Sequence, residues 1–214
     1  IVLIPEPAQK QVGVVSGRYA IARYSVTTQG RPSHAGARLK DGRSAITQMA
    51  KDILDIQNLT TNNCTFSVGV ISSGQWVNCV PTEAKAEVLS MSKKQRDLDN
   101  GIQMMMKFNS RDNDVKTNIT LDTIRPVWEP QAGTFRLINI AEKLCKDLGQ
   151  PFFHESAGGG SDGNFTGAMG IPTLDGLGVS GDKIHTLEEH IEIKSLETRT
   201  KLMAGLLLSI GSDF

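Results

Sequence analysis

Arg18-Tyr19-Ala20-Ile21-Ala22-Arg23-Tyr24-Ser25-Val26-Thr27-Thr28 is the stretch that decides the fold. Side chains alternate along a strand, so Ala20, Ala22, Tyr24 and Val26 share one face while Tyr19, Ile21 and Arg23 take the other. Gly30-Arg31-Pro32-Ser33 closes the strand with turn residues. Further along, Asp41 or Ser44 can cap a helix whose apolar stripe is Ala45, Ile46, Met49, Ala50, Ile53 and Leu54. Two β-like runs follow, Cys64 to Ser72 and Val80 to Ser90, separated by the turn-prone Ser72-Ser73-Gly74. A helix-compatible stretch from Lys93 to Phe108 and a strand from Thr117 to Ile124 complete the series. Strand, helix, strand, strand, helix, strand is the split β-α-β order: a ferredoxin-like α+β domain with an antiparallel sheet and both helices on one face.

The flanks read differently. Ile1-Val2-Leu3-Ile4 followed by Pro5-Glu6-Pro7 predicts a core strand that stops abruptly, because proline supplies no ladder donor, and this presents Glu6 at a strand end. That apolar run has no initiator Met, so the chain is expected to begin inside a buried strand. Any signal peptide is then unread, and the compartment, cytoplasmic or periplasmic, stays open. After Trp128-Glu129-Pro130 come a helix from Phe135 to Leu148, a Gly-rich segment and a short buried strand from Thr173 to Leu177. A last helix, Ser195 to Ile210, sets Leu196, Met203, Leu206, Leu207 and Ile210 toward a core and Lys194, Glu197, Arg199 and Lys201 toward solvent. These pieces belong to an α/β domain. The expected organisation is one discontinuous α/β domain, residues 1–17 and 129–214, interrupted by the inserted domain at 18–128.

Composition narrows the function. Lys+Arg and Asp+Glu balance at 23 each over 214 residues, so no global field draws the chain to nucleic acid or anionic lipid, and no apolar run is long enough to cross a bilayer. A small or neutral partner is expected. Cys64, Cys79 and Cys145 contain no Cys-x-x-Cys pair and leave one over after any pairing, so they are read as free packing residues.

Metal or acid-base chemistry must begin with the four histidines, His34, His154, His185 and His190. His185 sits in the polar loop Val179-Ser180-Gly181-Asp182-Lys183-Ile184-His185-Thr186, after a buried strand, where α/β proteins place ligands. One ring nitrogen can bind a divalent metal while Glu188 or Glu189 orients the other; the plain alternative is a solvated loop histidine. Glu6, also just past a strand, can offer a carboxylate oxygen to the same metal, or act as a surface carboxylate. Gly158-Gly159-Gly160-Ser161-Asp162-Gly163-Asn164-Phe165 lacks the spacing of a nucleotide-binding loop and reads better as a tight active-site loop, with Ser161 or Asp162 capping a short helix. In Arg31-Pro32-Ser33-His34-Ala35-Gly36, His34 stands in a turn, either stabilising a developing oxyanion or bonded to its own backbone.

Taken in order, Leu3-Ile4-Pro5-Glu6-Pro7, Pro32-Ser33-His34-Ala35-Gly36, Asn78-Cys79-Val80-Pro81, Gly159-Gly160-Ser161-Asp162-Gly163 and Ile184-His185-Thr186-Leu187-Glu188-Glu189 form one set. The set resembles the zinc metallopeptidase family of glutamate carboxypeptidase, aminoacylase, acetylornithine deacetylase and succinyl-diaminopimelate desuccinylase, in its C-terminal portion. The resemblance implies a partial catalytic domain of the zinc-exopeptidase type with an inserted lid that also forms a homodimer. It implies two zinc ions per intact site, with Glu6 and His185 as metal ligands. His34 matches the lid histidine that polarises the scissile carbonyl in the partner subunit's site, and Asn78, Gly159 and Gly160 match substrate-contacting positions. The family's first zinc histidine, bridging aspartate and Glu-Glu pair lie upstream of the matched region, so this fragment is expected to be inactive alone, or to serve as a dimerisation module. Ser156 stands where one branch of the family has a carboxylate-binding arginine, and Arg125 matches another anion-binding arginine. A peptide substrate and an N-acyl amino acid substrate both remain open.

Overall fold

The computed structural model describes residues 1–8, 13–110 and 114–213. The chain divides into two compact units, one formed by Ile1–Tyr19 with Pro126–Phe214 and the other by Ala20–Arg125. In chain order the elements are β1 (Val2–Leu3), β2 (Val14–Arg18), β3 (Ala20–Gln29), α1 (Ala45–Gln57), β4 (Cys64–Ser73), β5 (Glu83–Ser92), α2 (Gln95–Met106), β6 (Lys116–Arg125), α3 (Ala132–Asp147), β7 (His154–Ala157), α4 (Gly163–Ala168), β8 (Thr173–Leu174), β9 (Gly181–Asp182), β10 (His190–Ile191) and α5 (Ile193–Asp213). Among the described residues no helix is long and apolar enough to cross a membrane.

The unit Ala20–Arg125 is a four-stranded antiparallel sheet in the order β4-β5-β3-β6, the ferredoxin-like arrangement expected from the sequence. Tyr24 lies opposite Val88 and Val26 opposite Ala86, and all four are buried, whereas Arg23, Lys85 and Glu87 are exposed. One face of the sheet is thus covered. Its cover is α1, through Ala45, Met49 and Ile56, and α2, through Leu98, Gly101 and Met105. Ser44, not Asp41, is the cap of α1: its Oγ accepts from the Thr47 N–H at 3.1 Å, while Asp41 ends a separate turn of 3-10 helix.

Two expectations fail in this unit. Ile46 and Leu54 lie outside the core of α1, at 43% and 63% exposure, and the buried position between Met49 and Ile56 is Asp52. Asp52 is tolerated there because its carboxylate accepts from Thr117 Oγ1 at 2.6 Å and Gln48 Nε2 at 3.0 Å. The β5 strand begins at Glu83 rather than Val80, because Val80 donates its N–H to Ser33 O and the chain reaches the strand through Pro81.

Tyr24 gives a pH test of this packing. It is 1% exposed, its hydroxyl shares a hydrogen bond with Ser90 Oγ at 3.1 Å, and burial pushes its pKa up to about 12, with the Ser90 bond working the other way. The unfolded chain ionises near the usual tyrosine value of about 10 while the native state stays neutral, so the stabilising effect is whole below that pH and is lost through the folded pKa. Stability should fall by about 2–3 kcal/mol between about pH 10 and 12 through this residue alone. Urea titrations of the protein and of Tyr24→Phe across that window measure it; equal slopes in the two proteins would remove the claim.

In the other unit, β1 pairs in parallel with β8 and β2 in parallel with β7. An antiparallel bridge from Val15 to Asp175 joins the two pairs. Neighbouring residues of β2 point to opposite faces, so Val14 joins a core with Leu137, Ile138, Ala141, Cys145, Leu174, Leu177, Leu202 and Leu206, while Val15 packs with Trp128 and Ala157. To the first of these α3 gives Leu137, Ile138, Ala141 and Cys145, and α5 gives Leu202 and Leu206. Arg199, expected on the solvated side of α5, is 4% exposed: its Nε donates to Gly178 O at 2.9 Å and its Nη2 to Gly176 O. Leu207 is correspondingly exposed rather than buried. A guanidinium presents donors in a fork, and here the fork ties α5 to the segment after β8.

Candidate active site

Glu6 lies just past β1 and is exposed. Gly178 N donates to Glu6 O at 2.8 Å, and Ala8 bridges Ser180 in parallel, so the segment after β1 runs beside the segment after β8. A β-carbon on Gly178 would stand 2.5 Å from Pro5 O and 2.8 Å from Glu6 O, so this approach requires glycine. Both segments leave the carboxyl ends of parallel strands, where open α/β sheets bind ligands.

His185 lies in the connection between β9 and β10, exposed, with φ of 66°. That left-handed conformation is uncommon for a residue with a β-carbon and turns the loop tightly. Neither acid expected to orient its ring does so. Lys183 Nζ pairs with the Glu188 carboxylate, and Glu189 Oε2 accepts from the backbone N–H of His185 at 3.3 Å.

The Gly-rich segment is held by a buried polar set. Asp175, fully buried, receives Arg18 Nε at 2.8 Å and Ser161 Oγ at 2.5 Å on one oxygen, and Gly176 N at 2.5 Å on the other. Arg18 also donates from Nη1 to Gly158 O at 3.3 Å. Ser161, rather than Asp162, caps α4 through Gly163 N at 3.0 Å. Asn164, also fully buried, accepts from Ser161 N and donates from Nδ2 to Tyr19 O and Pro126 O. Gly159 has φ of +83°, which suits glycine. Sequence reasoning passed over Arg18, Asn164, Asp175 and Arg199. One signal was available: Asp175 is the only charge in the apolar run Thr173 to Leu177, and a charge there requires a partner.

In the unit Ala20–Arg125, His34 and Asn78 come together. His34 bridges Cys79 in antiparallel fashion, and Ala35 N donates to Asn78 O at 3.0 Å. The imidazole Nδ1 accepts from Gly36 N and Ala37 N, both at 3.1 Å, so the neutral ring carries its proton on Nε2. The ring is exposed, and this leaves one N–H donor facing outward. Arg125 closes β6 and pairs in register with Ile21.

A sheet under two helices, inserted into an α/β unit, with a backbone-tethered histidine near its hairpin, defines a class. Residues 16–115 match the family model of the peptidase dimerisation domain of M20 peptidases. Over those residues the chain is similar to that dimerisation domain. Among individual proteins, the uncharacterised Bacillus subtilis protein YqjE is 26% identical over 182 residues, which is 83% of this chain and 48% of that protein. A tripeptidase from Staphylococcus aureus has a TM-score of 0.80 at 24% identity, over 97% of this chain and 56% of its own. Aminopeptidase PepT from Bacillus cereus has a TM-score of 0.74 at 21% identity, over 98% and 57%. An amidase of the hydantoinase/carbamoylase family from Burkholderia vietnamiensis has a TM-score of 0.76 at 16% identity, over 97% and 53%. The chain spans about half the length of these relatives.

Proposed function

We propose that this chain is the lid-bearing portion of a zinc-dependent hydrolase that cleaves the amide bond of a peptide or an N-acyl amino acid. The observation that carries this reading is the match of residues 16–115 to the peptidase dimerisation domain, flanked on both sides by pieces of one α/β unit. Glu6 and His185 would hold zinc, and the donor set suits it, since an exposed carboxylate and an exposed imidazole are both zinc ligands. Bound zinc supplies a water of lowered pKa and polarises the carbonyl. Two donors are fewer than a bridged two-metal site takes, so the remaining ligands and the general base come from outside this chain. In the partner subunit's site, His34 donates its Nε2–H to the scissile carbonyl oxygen as negative charge grows there, with Gly36 and Ala37 holding the ring in that tautomer. Asn78 and Arg125 in the one unit, and Gly159 and Gly160 in the other, are each assigned to substrate contact.

The test uses the full-length protein that contains this chain. A chelator should abolish hydrolysis of short peptides or N-acyl amino acids and zinc should restore it, while His185→Ala lowers kcat at least tenfold and reduces bound zinc. Full activity and full metal content in His185→Ala would sink the assignment.

The same reading has the lid pair with a second copy through β4. This strand is a sheet edge, and its second half exposes Val70 and Ile71. The outer face of α1 adds Ile46 and Leu54, and the β4–β5 turn adds Trp76 and Val77. Val70→Lys/Ile71→Lys should raise the dimer dissociation constant at least tenfold in analytical ultracentrifugation with the circular dichroism spectrum unchanged. A parent protein that stays monomeric at high concentration would end this part of the reading.

A further inference from the structure

We propose that Asp175 is a positioning residue, which through Arg18 and Ser161 holds the loop from Gly158 to Gly163 in its substrate-receiving conformation. This rests on the hydrolase reading above only for the word substrate; the clamp itself stands on geometry. Asp175 is fixed twice. Its backbone exchanges both hydrogen bonds with Val15, at 2.7 and 2.9 Å, and its carboxylate takes three donors from three separate places in the chain. One donor, Arg18, reaches past it to the carbonyl of Gly158, where the loop begins. Another, Ser161, passes the constraint on to Gly163 N, where the loop becomes α4. Both ends of the loop are therefore tied to one carboxylate.

The reason for such a clamp lies in the glycines. Gly158, Gly159 and Gly160 in succession leave the backbone with more accessible conformations than any other residues would, and Gly159 occupies a left-handed one. A loop that presents backbone groups to a ligand binds more tightly if its geometry is set beforehand, because ordering it on binding would subtract from affinity. Charge-assisted hydrogen bonds to a buried carboxylate supply that order without placing a side chain on the ligand. Asn164 adds a second tether, since its amide holds Ser161 N on one side and the carbonyls of Tyr19 and Pro126 on the other.

Asp175 itself is too costly to remove for a clean test, so Ser161→Ala is the informative variant: it cuts the tie from the carboxylate to the α4 end of the loop and leaves the Arg18–Asp175 pair, with its bond to Gly158 O, in place. Cys145→Ala, in the core on α3 and apart from the loop, serves as the matched loss of stability. In the full-length protein, Ser161→Ala should raise KM about tenfold with kcat within twofold, and Cys145→Ala should change neither. Hydrogen exchange of the amides from Gly158 to Gly163 should quicken at least tenfold in Ser161→Ala alone. Unchanged exchange in this loop, or an equal rise of KM in Cys145→Ala, would overturn the proposal. A protein that hydrolyses none of the amides tried sinks the hydrolase reading instead, and the exchange data then decide the clamp by themselves.

Discussion

Asp175→Ala is expected to cost about 3–5 kcal/mol of stability, because it strands a buried guanidinium. Arg18 and Asp175 are 6% and 0% exposed, and their contact at 2.8 Å is the means by which either charge is tolerated inside the unit. Removing the carboxylate also leaves the Ser161 hydroxyl and Gly176 N–H short of their acceptor, and each unsatisfied buried group adds about 1–3 kcal/mol. The pair as a whole need not stabilise the fold, since two desolvated charges regain in attraction about what they lose in hydration. Hence the double replacement Arg18→Met/Asp175→Leu, which takes the same acceptor from Ser161 and Gly176 but no longer strands the guanidinium, should lie closer to the parent than Asp175→Ala does. Urea denaturation of the three proteins, followed by circular dichroism, gives the comparison. A single variant no less stable than the double one would show that Arg18 has another means of compensation.

What the sequence made legible was whatever repeats with a period. Alternation from Ala20 to Thr28 located the central strand of the sheet, and the order of the elements around it gave the ferredoxin-like topology before any contact was known. Periodicity misjudged which apolar residues are buried. Ile46 and Leu54 fit a helical stripe but are exposed, and Asp52 took the core position through partners 4 and 65 residues away. Arg199 was misplaced for the same reason. A charge is assigned to solvent by default, and only the three-dimensional path brings the carbonyls of Gly176 and Gly178 to it. The candidate site divides in the same way. Glu6, His34, Asn78 and His185 were visible because they stand in short motifs, whereas the Arg18–Asp175–Ser161 set spans 157 residues between its charged members and has no local signature.

The second large effect concerns Trp128, which is 1% exposed and packs with Val15 and Ala157. Trp128→Ala should cost about 3–5 kcal/mol, in keeping with the loss of a large buried aromatic. The indole is there for its area. Among the described residues its Nε1 has no hydrogen-bond partner, so no polar contact accounts for the choice of tryptophan. It fits only because α4 turns glycines toward it. A β-carbon on Gly167 would stand 2.1 Å from Trp128 Cδ1, and one on Gly163 would stand 3.0 Å from its Cζ3. Two effects then oppose each other in Gly167→Ala. Alanine favours a helix over glycine by about 1 kcal/mol, while forcing a methyl into filled space costs about 1–3 kcal/mol or more. At 2.1 Å the overlap is with the ring itself rather than with the end of a flexible chain, so the steric cost wins and Gly167→Ala destabilises. In the Trp128→Ala background the ring is gone and the sign should reverse, with Gly167→Ala now stabilising by up to about 1 kcal/mol. The four proteins form a double-mutant cycle readable by thermal or chemical denaturation. Equal effects of Gly167→Ala in the two backgrounds would mean that the ring and the helix do not meet as described.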